Sequence, residues 1–333
     1  MSTSPQKTIT IIGATGTQGS SVARTFLSLS NWHVRCITRT TSSPRATALS
    51  ALGAILIQAD LNDIVSLKTA FANTHAIFVN TDFWGLYRAT PPSKDASHSA
   101  YAQEIQQGKN AALAASTIPT LERYIYSALG PMKKHSGGKY PHSYHWDSKA
   151  EIVEFIEKEL PGLAQRISFV YLGVYVSNPL FMPRVDARGR LKFVIPLERG
   201  VRVPVVDAGK ATGGFVRKLV EDEKAGVKLL ACCAWLEVRE MVNVWTRVTG
   251  REAEVVEVTP EWMNRELGVP MEVLDAPAFI EEFGYMGGLE GWVEPGELRE
   301  GWGKWSFEEW LRGEDWEGIL RAGMEELDGV TRG

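Results

Sequence analysis

ITIIGATGTQGSSVARTF, residues 9–26, places glycines at 13, 16 and 19 directly after an apolar, β-branched run. TITII (8–12) has the composition of a short buried strand. A helix is expected from about Gln18 to Leu29, with Val22, Phe26 and Leu29 on one face. Between such a strand and helix, three glycines read as a phosphate-binding turn; the alternative is a plain connection with spare glycines. Gly13 permits the tight turn, Gly16 lets a pyrophosphate approach the backbone, and Gly19 lets the helix pack close to the sheet. The helix N-terminus adds free N–H groups and a partial positive charge.

The alternation continues outward from this turn. HVRCIT (33–38), AILIQAD (54–60), HAIFVN (75–80), ERYIYSAL (122–129) and RISFVYLG (166–173) read as strands. RATALSAL (45–52) reads as a helix ending at Gly53, and Asp63 can cap the helix IVSLKTAF. Further helices are expected from about His98 to Ser116 and over about 148–160, where Pro161-Gly162 stops the second. Residues 81–97, with two successive prolines, and the Gly/His/Tyr-rich 130–146 are expected as irregular loops. TDFWGLYRATPP (81–92) is either a flap over a ligand or an inert insertion.

Strand and helix alternating over 8–173 imply the α/β class: a doubly wound, Rossmann-type parallel sheet with helices on both faces. The remainder changes character. RGRLKFVIP and VRVPVVD suggest irregular β structure, and 209–224 and 236–249 look helical. The expected organisation is a dinucleotide-binding domain over 1–179 and a smaller C-terminal α+β lobe, for substrate or partner, over 180–333. Trp292, Trp302, Trp305, Trp310 and Trp316 read as core of that lobe, with a partner surface as the alternative.

Composition narrows the function classes. The 333 residues are 44% hydrophobic and 23% charged, as in ordinary globular chains. A net charge of −4 gives no reason to expect direct nucleic-acid or membrane binding. Three cysteines, Cys36 and the pair Cys232–Cys233, make no disulfide framework and point to a reducing compartment. The pair lies in LLACCAWL, read as a buried, unreactive strand. MSTSPQKT is polar, so no signal peptide is expected, and no apolar run is long enough to span a bilayer. The expected location is cytoplasmic, with the nucleus as a second compartment.

The second strand specifies the dinucleotide. A chain selecting NAD usually places an acid about 20 residues past the glycines, on the ribose 2′-hydroxyl. Here the strand ends Thr38-Arg39-Thr40-Thr41-Ser42-Ser43, with Arg45 beyond and no acid. A guanidinium pairs bidentately with a 2′-phosphate, so NADP(H) is the expected cofactor. The alternative makes both arginines ordinary surface residues. Asp60, at the end of the third strand, suits either the adenine amino group, with Leu61 beside the ring, or a cap on the following helix.

GATGTQGSSVARTF, the Arg39 strand end, QADLND, IFVNTDFW, YIYSALG, HWDSKAEIVEFI and VYLGVYVSN occur in this order. Together they resemble the NmrA-like family of atypical short-chain dehydrogenase/reductases, up to about residue 250. The resemblance implies a dehydrogenase-type fold with NADP(H) bound either as a signal or as a reductant. Signal-binding members grip a protein partner such as a transcription factor; the others reduce aromatic or secondary metabolites. Carried over singly, it assigns Gly13, Thr15, Gly16, Gln18 and Gly19 to the pyrophosphate turn. It gives Arg39 the 2′-phosphate, and Asp60 with Leu61 the adenine end. Thr81, Asp82 and Phe83 would flank the nicotinamide, Lys149 would reach its ribose, and Tyr175 to Asn178 would close over it. Asp82 is discordant, because an acid near phosphates weakens their binding.

Ordinary short-chain dehydrogenases use Ser, Tyr and Lys, with the tyrosine four residues before the lysine. Nearby positive charge favours the phenolate that exchanges the proton. Ser127 and Lys149 fit two of these positions, but His145 stands where the tyrosine would. Tyr144 is adjacent at the wrong helical spacing. Ser148-Lys-Ala-Glu151 resembles a capping box, which would start the helix at 148 and leave 145 in the preceding loop. His145 is then a surface or structural residue, or a proton shuttle. The spacing of His135, His142 and His145 fits no metal motif, and no metal is expected. The missing phenol favours a dinucleotide-sensing regulator acting through a protein partner. The alternative is an NADPH-dependent reductase of a small carbonyl or aromatic metabolite, resting on Ser127 and Lys149.

Overall fold

The computed structural model describes residues 6–91, 95–186, 188–198, 200–303 and 305–321. Six strands follow in chain order: β1 (Lys7–Ile12), β2 (Trp32–Thr38), β3 (Ile55–Gln58), β4 (Ala76–Val79), β5 (Arg123–Ala128) and β6 (Ile167–Leu172). They lie in the order β3-β2-β1-β4-β5-β6, all parallel, and the strands Lys228–Ala231 and Trp292–Val293 extend the sheet beyond β6. Ile9 sits opposite Val34 on one side and Ala76 on the other. The order reverses between β1 and β4, which is where doubly wound sheets open a binding crevice at their carboxyl ends. Every residue of β4 and β6 is buried, as expected for strands covered on both faces.

The connecting helices are α1 (Thr17–Leu27), α2 (Pro44–Ala51), α3 (Ile64–Ala70), α4 (Phe83–Ala89), α5 (Ala96–Ser116), α6 (Met132–His135) and α7 (Tyr144–Glu159). Local chemistry sets most of their starts. The Ser43 side chain caps α2, and Asp63 caps α3 by accepting from Val65 N (3.0 Å) and Ser66 N (3.2 Å). Two expected loops are partly helical. Asp82 caps α4 inside 81–97, and α7 begins at Tyr144, four residues before the capping-box serine.

The chain divides into two compact units. One comprises the described residues up to Leu172 with Ala208–Ala231 and Met286–Trp302; the other comprises those of Gly173–Asp207 and Cys232–Tyr285 and the described residues from Gly303. The division is therefore not the single break at 179/180 read from the sequence. Helix Ala208–Glu221 returns to pack on α1 at Gly213, whose N–H donates to Ser21 Oγ at 3.0 Å. Trp302 stacks on Phe215 of that helix at 3.8 Å, and Trp32 Nε1 donates to Glu221 (2.7 Å). Trp292 and Trp302 thus belong to the sheet unit, not to the lobe.

The second unit holds two three-stranded sheets. One joins Ala234–Glu237, Arg202–Val206 and Val174–Tyr175; the other joins Ala253–Glu257, Leu191–Ile195 and Arg184–Val185. Trp245, Trp310 and Trp316 are buried there, with Trp245 edge-on to Phe193 (5.4 Å) and to Trp316 (5.8 Å). Cys232 and Cys233 are not within a strand; they lie between Lys228–Ala231 and Ala234–Glu237. Among the described residues, no helix is long and apolar enough to cross a membrane.

Candidate functional site

The glycine turn follows β1 at the sheet's point of reversal. Gly13 has φ +75°, and a Cβ there would lie 2.8 Å from Asn80 O. A Cβ on Gly19 would lie 2.2 Å from Gly13 O, so the first turn of α1 rests directly on the loop. Gly16 N donates to Gly13 O (2.9 Å), and Gly16 is the N-cap of α1 with no side-chain cap. The N-cap itself therefore supplies no side-chain oxygen to the helix N-terminus, the place where an anion is favoured. Thr15 is half-buried and Gln18 buried beside them.

Arg39 is exposed just past β2, and Arg45 is exposed in the first turn of α2. The Arg39 side chain has no hydrogen-bond or ion-pair partner among the described residues, leaving its donors available. Asp60 does not cap α3, which is the work of Asp63. Its Oδ1 instead accepts from Asn62 N and Nδ2, both at 2.8 Å. Asn110 Nδ2 of α5 donates to Leu61 O (2.8 Å), and Gln107 Nε2 donates to Asn62 Oδ1 (3.2 Å). The 60–62 loop is thus held from α5.

A buried polar cluster lies at the end of β4. Lys149 Nζ donates to Thr81 Oγ1 (2.8 Å), Thr81 O (3.1 Å) and Glu104 Oε1 (2.9 Å). Glu104 is fully buried, and its other oxygen accepts from Ser148 Oγ. Thr81 Oγ1 also bonds Tyr126 OH (3.3 Å). Burial pushes the Tyr126 phenol well above its ordinary range, the Glu104 charge adds to this, and the Thr81 bond opposes it. Ser127, near the end of β5, is buried.

Because α7 begins at Tyr144, His145 lies on the helix one turn before Lys149. The expectation that it sits in a loop is corrected: Ser148 serves Glu104 instead of capping. The His145 ring is half-exposed and packs against Trp84 (5.0 Å) and Phe83 (5.8 Å), with Tyr87 stacked on Phe83 (6.0 Å). Asp82, discordant as a cofactor residue, accepts from Gly85 N (2.9 Å) as the cap of α4. Glu104 and Tyr126 escaped the reading of the sequence. Glu104 was detectable, since it shares a helical face with Ala100, Gly108 and Ala111, where a charge needs a buried partner. In the second unit, Tyr175 ends a short strand paired to Arg202–Val206, and Asn178 caps the turn Pro179–Phe181 through Leu180 N (2.9 Å).

A doubly wound sheet with a glycine turn at its reversal defines a Rossmann-type protein. The model of the NmrA-like family matches residues 5–311, and the chain belongs to that family. It is 28% identical, over 79% of its length and 79% of the relative's, to the NmrA-like family domain-containing oxidoreductase himF of Aspergillus japonicus. The nitrogen metabolite repression protein nmrA of Emericella nidulans is 27% identical, over 65% of this chain and 57% of that protein. Among solved structures, NmrA, a negative transcriptional regulator, in complex with NAD superposes with TM-score 0.74 at 23% identity, over 96% of this chain and 98% of the other. Leucoanthocyanidin reductase of Vitis vinifera with NADPH gives 0.67 at 20% identity, over 91% and 98%.

Proposed function

We propose that the chain binds NADP(H) at the β1–α1 turn and is an NADPH-dependent reductase of a small carbonyl-bearing or aromatic metabolite. The residues present suit the cofactor. The Gly13–Gly19 cradle leaves no room for side chains where diphosphate approaches the backbone, and Arg39 offers its guanidinium to a 2′-phosphate. Thr81, Phe83 and Lys149 are the residues for the nicotinamide end. The structures of relatives in complex with NAD, NADP and NADPH support the same assignment.

One observation carries the choice of a reductase: His145 stands one helical turn before Lys149, beside the aromatic rings of Phe83 and Trp84. When bound, NADPH supplies a hydride to an electrophilic carbon of the substrate. The chain's part is the proton. His145 is the proton donor to the oxygen that gains negative charge. The Lys149 ammonium stabilises that developing charge. Trp84 and Tyr87, set edge-on to each other beside the buried Phe83, offer apolar ring surface suited to an aromatic substrate.

NADPH consumption against a panel of aromatic ketones and aldehydes tests this. His145→Ala is expected to slow turnover by about a hundredfold, the usual scale of general acid catalysis, with NADPH affinity unchanged. Turnover undiminished in the variant would overturn the proton-donor role.

The absence of a phenol four residues before Lys149 favours a second reading, a dinucleotide-sensing regulator acting through a protein partner. The relative named as a repression protein supports it. Sensing requires different affinities for the two redox states. Equal NADP and NADPH dissociation constants by calorimetry would remove this reading.

A further inference from the structure

We infer that Glu104 is a positioning residue that holds the Lys149 ammonium at the nicotinamide end of the cofactor site. The inference rests on the cofactor reading above and adds a residue that touches no ligand itself. Glu104 is completely buried, near the middle of the long helix α5. Its neighbours on that face, Ala100, Gly108 and Ala111, are small and offer it no polar contact. A buried carboxylate without partners costs several kcal/mol, so its partners explain its place in the core.

Those partners are two successive residues of α7. Lys149 Nζ donates to one carboxylate oxygen at 2.9 Å, and Ser148 Oγ donates to the other. The helices approach closely enough for this because position 108 is glycine; a Cβ there would lie 2.3 Å from Ile152 Cδ1 of α7. Lys149 has three donors. One goes to Glu104, and the other two reach Thr81 O and Oγ1 at the end of β4. A lysine stem is flexible and loses much rotamer entropy on ordering. Here the carboxylate and the threonine fix the ammonium before any ligand arrives. The Thr81 bonds, just past the carboxyl end of β4, can be exchanged for ribose hydroxyls. The Glu104 bond, made to a different residue, stays in place through that exchange.

A purely structural Glu104, joining α5 to α7, would affect every ligand alike. Adenosine 2′,5′-bisphosphate separates the two cases, because it carries the adenine and 2′-phosphate end but no nicotinamide ribose. Calorimetry on Glu104→Gln is expected to show NADPH affinity about tenfold weaker, the scale of one charged hydrogen bond, with adenosine 2′,5′-bisphosphate affinity unchanged. Glu104→Asp should recover part of the loss. Equal weakening of both ligands, or of neither, overturns the inference. Wild-type protein that binds neither ligand would overturn the cofactor reading instead. If Glu104→Gln does not fold, the pair variant Glu104→Gln/Lys149→Met removes both buried charges. Its NADPH affinity should equal that of Lys149→Met alone, and any further loss would overturn the role.

Discussion

Single atoms decide the glycine turn. At Gly19 a methyl group would meet the carbonyl oxygen of Gly13 at 2.2 Å, and backbone cannot yield as a flexible side chain does. Gly19→Ala is expected to abolish NADPH binding while the protein stays folded, and an unchanged dissociation constant would exclude this turn as the phosphate site. Arg39 lies in the open, so its replacement tests charge alone. Arg39→Asp should weaken NADPH by about tenfold or more and leave NADH nearly unaffected, as removal of a charge-assisted pair predicts. Burial pushes the Cys36 thiol up to about 12, and Cys233 to about 11. Both stay protonated at pH 8, so native protein should react with iodoacetamide far more slowly at these positions than urea-unfolded protein. Rapid native labelling of Cys36 would contradict its burial.

Helices show where local signals lose to tertiary ones. Ser148 and Glu151 carry a capping-box pattern, yet the Ser148 hydroxyl bonds the buried Glu104, and Glu151 accepts from Tyr101 OH (2.7 Å) and Lys109 (3.3 Å). A cap contributes about 1 kcal/mol, whereas a buried carboxylate left unpaired costs more, so the helix extends back to Tyr144. Asp82 shows the converse: a local cap accounts for an acid that a purely functional reading could not place. Close packing of α1 on helix Ala208–Glu221 gives a test of sign. Gly→Ala inside a helix normally stabilises by about 1 kcal/mol. At Gly213 the new Cβ would meet Ser21 O at 2.4 Å, so Gly213→Ala should instead destabilise by about 1–3 kcal/mol in urea unfolding.

For the whole molecule, the buried phenols set an alkaline limit. Burial holds Tyr124, Tyr126 and Tyr171 of the sheet unit, and Tyr285 of the other, well above the ordinary phenol value. A group whose pKa is raised by folding contributes stability below its unfolded pKa and loses it as pH rises. Stability should therefore fall above about pH 10, where unfolded tyrosine ionises. Absorbance at 295 nm should show these phenols ionising together with loss of circular dichroism. Ionisation of all tyrosines in still-folded protein would contradict the burial.

Six strands, their helices and the phosphate turn were legible in the chain because they depend on neighbouring residues. Apolar runs, glycine spacing and the Asp63 cap act within a few positions of one another. The acid-free end of β2 is equally local, and so is the match to the family's motif series. Contacts between distant residues decided the rest. Glu104 meets Lys149 across 45 positions, and helix Ala208–Glu221 meets α1 across nearly 200, as Ser21 to Gly213 shows. No local pattern encodes such pairings, because burial of a charge or close approach of two backbones exists only once the sheet has brought them together. The start of α7, the place of His145 on it and the membership of each unit were therefore tertiary decisions.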